Sequence, residues 1–463
     1  MFLVERVHHK KEEIKMIDVK YFEVPLPEDV LKEKWSGHFD RCLKLIDNRV
    51  KQEKISEELK KRLLLEKEVI ERLPQQYPYT FNEMFCKFQD IIPDITVEEI
   101  EQLIINNQIE WIYIDGQKYF HDLCVENIIK TRSDYARRVS KEYDNIDMSV
   151  LLNDTMKKMK EKGRLKYHYH QKTTVKINKE KEGKKIKVYI PLPLEYRQVS
   201  NVEIIKASHN FIESPKDYPA RTICIEETYH KGMEFSLEFS YDVEQYFKEY
   251  KASEVYDVQP TFYTEELAPH IVFTPYLKAL ALDIIKEETN PLLKAQKVYD
   301  YITTHVNYSF VRSYFLIDQI SEYTAKNLKG DCGLQALLFI TLCRILKVPA
   351  RWQAGLFVIP DSLGNHDWAE IYIAPYGWLP VDCSFGGSAF RGKNEERRQF
   401  YFTHLDPFRM PACNDFQVPL YPVKKYQRCD PYDNQTGEVE YEDEGLLQGD
   451  FETINEFIGR KEM

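Results

Sequence analysis

The chain has 463 residues, too many for one ordinary core and enough for two to four domains. A hydrophobic content of 43%, with 31 tyrosines and 25 phenylalanines, excludes disorder over most of the length. The net charge of −11 leaves no overall basic field with which to attract nucleic acid.

Residues 1–163 read as a mainly helical N-terminal region. Its first 23 residues are polar and charged and are expected to form a loose arm. Leu59, Leu63, Leu64, Val69 and Ile70 keep roughly helical spacing through a charge-rich stretch that ends at Pro74. A helix over Val97 to Ile105 precedes two short apolar runs joined by Asp115-Gly116, a strong hairpin signal. Helix plus hairpin suggests a winged-helix-like unit. With no Arg-rich recognition helix, however, a small helical domain carrying a hairpin is the better description.

Residues 164–250 change character. Thr173 to Ile177, Ile186 to Ile190 and Phe235 to Phe239 alternate apolar and polar residues, as half-buried antiparallel strands do, and predict a small β-sandwich. The lysines at 157–166 belong to a solvated helix and those at 178–187 to a hairpin tip. His168 and His170 share a strand face but lack a third ligand nearby, so they read as ordinary strand residues and no metal is expected.

Residues 265–392 form an α+β core. Helices return at 274–306, where Asn290-Pro291 has the form of a helix start, Asn as cap and Pro at the first position. Gly330-Asp331-Cys332-Gly333 then runs into Leu334, Leu337, Leu338, Thr341, Leu342 and Ile345, the pattern of a helix with one buried face. Cys332 falls on its first turn, where the positive helix end is expected to lower the thiol pKa and small neighbours to admit a substrate. Cys343, inside the helix, reads as a small core residue. Residues 393–463 look like an extended C-terminal segment, rich in proline and aromatics, with an acidic stretch at Glu438–Glu444 and a short terminal helix.

The nine cysteines are scattered and include no C-x-x-C pair, which fits neither a disulfide framework nor a zinc site. The apolar run at the N-terminus is too short for a signal-peptide core, and 18 apolar residues never run together. A cytoplasmic, reducing location is expected, with no membrane or nucleic-acid partner and no cofactor; the oligomeric state is open.

A reactive thiol needs a base, and the base an orienter. His366 opens a strand running to Ile373, and Asp382 closes the next, from Trp378. If Ile373 pairs with Gly377 across a three-residue loop, His366 faces Ser384 and Asp382 faces Trp368. His366 and Asp382 are then diagonal neighbours on one face, roughly 7–8 Å apart at the backbone. A four-residue loop would put them on opposite faces. In this arrangement Cys332 is the nucleophile, His366 the base and Asp382 its orienter. The Cys332 backbone N–H is one candidate oxyanion donor; Tyr308 is a side-chain candidate but reads better as an ordinary core or surface tyrosine.

These three blocks, Gly-Asp-Cys-Gly, His-Asp-Trp-Ala-Glu-Ile-Tyr and Tyr-Gly-Trp-Leu-Pro-Val-Asp, resemble the transglutaminase-like superfamily over roughly 270–390. The resemblance implies a papain-like fold with a Cys-His-Asp triad at Cys332, His366 and Asp382. The preceding β-rich segment is similar to the sandwich of many microbial members. The tail motifs Leu405 to Arg409 and Asp430 to Gln435 look like the extension of one bacterial branch. Cys383 departs from the proline many members have, placing a second, passive thiol nearby. The implied activity is hydrolysis of a peptide or amide bond through an acyl-thioester. Acyl transfer to an amine, as in a transglutaminase, and a non-catalytic protein-binding scaffold are the alternatives. Hydrolysis is favoured because the C-terminal 70 residues are too few for the added sandwich domains of animal cross-linking enzymes, and no calcium loop is present.

Overall fold

A computed structural model describes residues 16–140, 148–360 and 362–463. Residues 1–15 of the expected N-terminal arm lie outside the described residues. Among the described residues no helix is long and apolar enough to cross a membrane.

The N-terminal region is helical from Glu28–Trp35 onward. Ser56 starts the Glu57–Arg72 helix by accepting the Leu59 N–H, and Thr80 and Thr96 each close a reciprocal capping box with the Glu three residues on. The expected loose arm does not extend to Val19–Glu23. There Phe22 is buried, its ring edge-on to Phe315 at 5.3 Å, so apolar burial orders the turn. The hairpin forms as expected: Ile114 pairs with Gln117, and Asp115 and Gly116 both have positive φ in the two-residue turn. The region is tied to the core by the buried Lys34–Glu66 and Arg62–Glu66 pairs reaching toward Asp318. Two further ties are Asn127 Oδ1, which accepts the Phe310 N–H at 2.8 Å, and Lys329, which donates to Asn107.

The β-sandwich has two four-stranded antiparallel sheets, and the C-terminal segment supplies an edge strand to each. One sheet runs Phe451–Glu462, Arg164–Ile177, Glu234–Tyr246, Val199–Ala207; the other runs Glu438–Tyr441, Lys185–Pro191, Thr222–Thr228, Phe211–Glu213. The expected terminal helix is therefore a strand. Phe451, Thr453, Asn455 and Phe457 alternate with Glu452, Ile454 and Glu456, and the run pairs with Tyr167–Ile177 around a bulge at Ile458. The lysines around 178–184 do not tip a hairpin, since they join strands of different sheets. Lys179 and Lys181 pair with Glu444, so the acidic run neutralises the basic one. His168 and His170 bond Asp242 and Glu238 on the neighbouring strand at 2.7 and 2.8 Å. Among the described residues no His, Cys, Asp or Glu group is arranged to hold a metal.

The core sheet has the order Gly377–Val381, Ser362–Ile373, Ala350–Ile359, Arg409–Cys413, all antiparallel. Asn290 caps the Pro291–His305 helix by accepting from Leu292 and Leu293. The Cys332–Ile345 helix packs against this sheet and is buried on nearly every side, from Gly333 to Arg344, where one buried face was expected. Its mixed run of leucines, Ala336, Phe339, Ile340 and Cys343 leaves no polar stripe, as a central helix requires.

The fourth strand places the C-terminal segment beside the site. It crosses the Ala350–Ile359 strand at a bulge between Ala354 and Gly355, where a Cβ on Gly355 would lie 1.9 Å from the Met410 carbonyl oxygen. Gly355→Ala is expected to destabilise the protein by about 3 kcal/mol or more and to expose the 405–435 segment to proteolysis, both measurable by thermal unfolding and limited digestion.

Candidate active site

Cys332 is the first residue of its helix, and Asp331 is the cap, accepting the Leu334 N–H at 3.1 Å. The Asp331 carboxylate also accepts the Tyr314 hydroxyl at 2.7 Å. A Cβ on Gly333 would lie 2.1 Å from that hydroxyl and 2.7 Å from Asp367 Oδ2. The glycine after the thiol thus permits close packing of Tyr314 and Asp367 and does not open a path for substrate.

The thiol is half-buried, and it donates to Asp367 Oδ2 at 3.5 Å. Burial, with Asp367 and Asp331 alongside, pushes its pKa well above the ordinary thiol value. This reverses the lowering expected from the helix end. A helix terminus contributes about 0.3–1 kcal/mol, less than one pKa unit, and burial plus carboxyl groups outweighs it. Asp367 is itself pushed well up by burial and by Asp331 and Asp430.

His366 and Asp382 meet as the hairpin geometry requires. Ile373 pairs with Gly377 and Ala369 with Val381, giving the three-residue loop and placing both side chains on one face. His366 Nε2 lies 2.7 Å from Asp382 Oδ2, and its ring packs against Trp368 and Phe385. Asp382 caps the Cys383–Arg391 helix, accepting from the Phe385 N–H and the Ser384 hydroxyl. Burial raises the Asp382 pKa, but His366 and Arg409 overcome it and hold the carboxyl at about 2. Burial lowers the His366 pKa against the upward pull of Asp382, so the ring rests neutral. Its Nδ1 has no hydrogen-bond partner among the described residues.

The structure therefore joins His366 to Asp382 directly and brings Cys332 to the neighbouring residue of the same strand. No hydrogen bond links the thiol to the imidazole. Tyr308 lies in the field of the Cys332 sulfur, and its hydroxyl has no partner among the described residues. Cys383 is buried behind Asp382 near Cys343, its thiol pushed well up by burial.

Three residues went unassigned in the sequence. Arg409 is wholly buried, donates to Asp382 Oδ2 at 3.0 Å, pairs with Asp406 at 3.2 Å, and lies 4.1 Å from the Phe385 ring centroid. Gln435 donates to the His366 carbonyl at 3.1 Å and to Asp367 Oδ1. Asp367 holds the thiol. The tail motifs did contain Arg409 and Gln435, but a non-local partner has no periodic signature.

Residues 278–383 match the family model of the transglutaminase-like superfamily, and this core belongs to that superfamily. Among curated proteins, an uncharacterized protein of Haemophilus influenzae is 26% identical over 175 residues, a match covering 32% of this chain and 42% of that one. The match thus spans less than half the length of that relative. Among solved structures, a proposed cysteine protease from Cytophaga hutchinsonii aligns at 15% identity and TM-score 0.38, covering 65% of this chain and 90% of that one. The periplasmic domain of TgpA from Pseudomonas aeruginosa aligns at 12% identity and TM-score 0.29, covering 50% and 92%.

Removing Arg409 would leave Asp382 buried without its cation. Arg409→Met is expected to cost about 3–5 kcal/mol, read by denaturant unfolding. Asp331 has its pKa raised to about 6, chiefly by burial, so folding favours its protonated form. Its contribution to stability is present below about pH 4 and is lost as pH rises through 6. Relative to Asp331→Asn, which keeps the cap, the wild type should lose on the order of 2–3 kcal/mol across this window, seen as a falling melting temperature.

Proposed function

We propose that the chain is a cysteine hydrolase of a peptide or amide bond, acting on a protein, peptide or amide substrate through Cys332, His366 and Asp382. The observation that carries this reading is the buried imidazole. Asp382 accepts a hydrogen bond from the Nε2–H, which leaves Nδ1 as a bare acceptor with no other partner among the described residues. In the resting state the thiol is parked on Asp367. The reading requires the sulfur to leave Asp367 and reach His366 when substrate binds, as catalytic contacts that are long in the free enzyme tighten in the complex.

His366 Nδ1 takes the thiol proton as sulfur attacks the carbonyl carbon, forming the C–S bond and an oxyanion. The Cys332 N–H, at the first helical position and without an intrahelical partner, faces that oxyanion, and the Tyr308 hydroxyl is a second donor. The oxyanion collapses, the C–N bond breaks, and the imidazolium gives its proton to the leaving amine. Water, deprotonated by His366, then attacks the thioester, releasing the acid and restoring the thiol. Asp382 remains ionised throughout, and Arg409 holds it so. The nine unpaired cysteines support placement in a reducing compartment such as the cytoplasm.

Cys332→Ala and Cys332→Ser should each abolish turnover of a peptide amide while leaving the melting temperature near that of the wild type. Asp382→Asn should lower the rate by orders of magnitude. Ammonia released without an added primary amine, and unchanged by one, marks hydrolysis; incorporation of the amine marks acyl transfer instead. Because the resting thiol is protonated, the scaffold is marked by failure of an activated acyl ester to acylate Cys332.

A further inference from the structure

The Asp367 carboxyl, 3% exposed, is the meeting point of donors from three parts of the chain. Gln435, in the C-terminal segment, donates to Oδ1 and, at 3.1 Å, to the His366 carbonyl, so one amide fixes the carboxyl and the backbone of the base together. The Cys332 thiol donates to Oδ2 at 3.5 Å. The Tyr314 hydroxyl reaches the same oxygen at 3.3 Å, yet it lies closer to Asp331 Oδ1, at 2.7 Å. A hydroxyl carries one proton, so in this state it serves Asp331 while the thiol serves Asp367.

Once the sulfur turns to His366, Oδ2 loses its donor, and a buried carboxyl oxygen left without one is costly. Tyr314 can supply the replacement from where it stands. Its hydroxyl changes acceptor from Asp331 to Asp367, while Asp331 keeps the Leu334 N–H at 3.1 Å. Gly333 leaves the space for this exchange, since a Cβ there would lie 2.1 Å from the hydroxyl and 2.7 Å from Asp367 Oδ2. The charges facing the thiol and Asp367 are largely acidic. Asp331 caps the thiol's helix, Asp430 and Asp433 lie on the C-terminal segment, and Asp382 stands behind His366. Lys130 faces the thiol and Asp331 from the helical region, and Tyr308 faces them from the core. In such surroundings a thiolate beside the Asp367 carboxyl is disfavoured.

We propose that Asp367 is a positioning residue for the nucleophile, a latch that keeps the proton on the Cys332 sulfur until the Tyr314 hydroxyl takes the thiol's place. Only hydrogen bonds change in the exchange. The thiol proton passes to His366 Nδ1 when the sulfur attacks, and the Tyr314 O–H bond stays intact. The latch rests on the hydrolase reading for where the thiol goes, and on the Asp367 contacts alone for how it is held.

The test is the pH dependence of Cys332 alkylation by iodoacetamide, read at that residue by peptide mass in the full-length chain. In the wild type the midpoint of the rate profile should lie above the ordinary thiol value of about 8.5. In Asp367→Asn, which keeps the side chain's shape and removes its charge, the midpoint should fall by at least about one unit, a gain of about tenfold in thiolate at neutral pH. A wild-type midpoint at or below that of a free thiol overturns the latch, and so does an unmoved midpoint in the variant. Tyr314→Phe should slow acylation of Cys332 by an activated ester at least about tenfold, and adding Asp367→Asn should restore the rate, because no charged oxygen is then left bare. Equal acylation in the wild type and Tyr314→Phe, or additive losses in the double variant, overturns the exchange. If the ester acylates Cys332 in none of these proteins the hydrolase reading fails, and the alkylation profiles decide the latch by themselves.

Discussion

Asp382 is a carboxylate with no solvent exposure, and the rest of the site depends on how that charge is held. A lone buried carboxylate would protonate and give up its hold on the imidazole. Here it receives the Phe385 N–H, the Ser384 hydroxyl, His366 and the Arg409 guanidinium. Arg409 is buried too, and its remaining charge faces Asp406 and the rings of Phe357 and Phe385. The same cation disfavours a positive His366, so the imidazole rests neutral while its orienter stays ionised. That division of charge suits a base that must accept a proton.

The C-terminal segment is therefore part of the core in energetic terms. Its Arg409–Cys413 strand extends the core sheet, and Gln435 fastens the His366 carbonyl. Later strands at Glu438–Tyr441 and Phe451–Glu462 close the sandwich. One continuous run thus braces the His366–Asp382 pair and then the sandwich, so sheet pairing in the sandwich resists withdrawal of Arg409 from beneath Asp382.

How much of this was legible follows from range. Hairpin register is local: two strands, a three-residue loop and the period-two alternation were enough to place His366 and Asp382 on one face. The Asn290-Pro291 cap and the Asp115-Gly116 turn are likewise short-range chemistry. The edge strands from the C-terminus were not legible, because their partners lie about 250 residues or more away, and the half-exposed face of Phe451–Glu462 dilutes its alternation. The thiol's environment failed for a related reason. Its position on the helix was readable, but Asp331, Asp367 and Tyr314 converge on it only in three dimensions, and together they outweigh the helix dipole.

The segment matching the superfamily ends at 383, and the residues around it divide into two kinds of support. On one side Arg409, Asp406 and Gln435 set the charge and position of the His366–Asp382 pair. On the other, Asn127 binds the Phe310 backbone and Asn107 binds Lys329, so the helical region braces the two short strands at Asn307–Tyr308 and Lys329–Gly330. Those strands lead directly to Tyr308 and to the Gly330-Asp331-Cys332 turn. The helical region thus fixes the approach to the Cys332 turn, and the C-terminal segment fixes the charge of the His366–Asp382 pair.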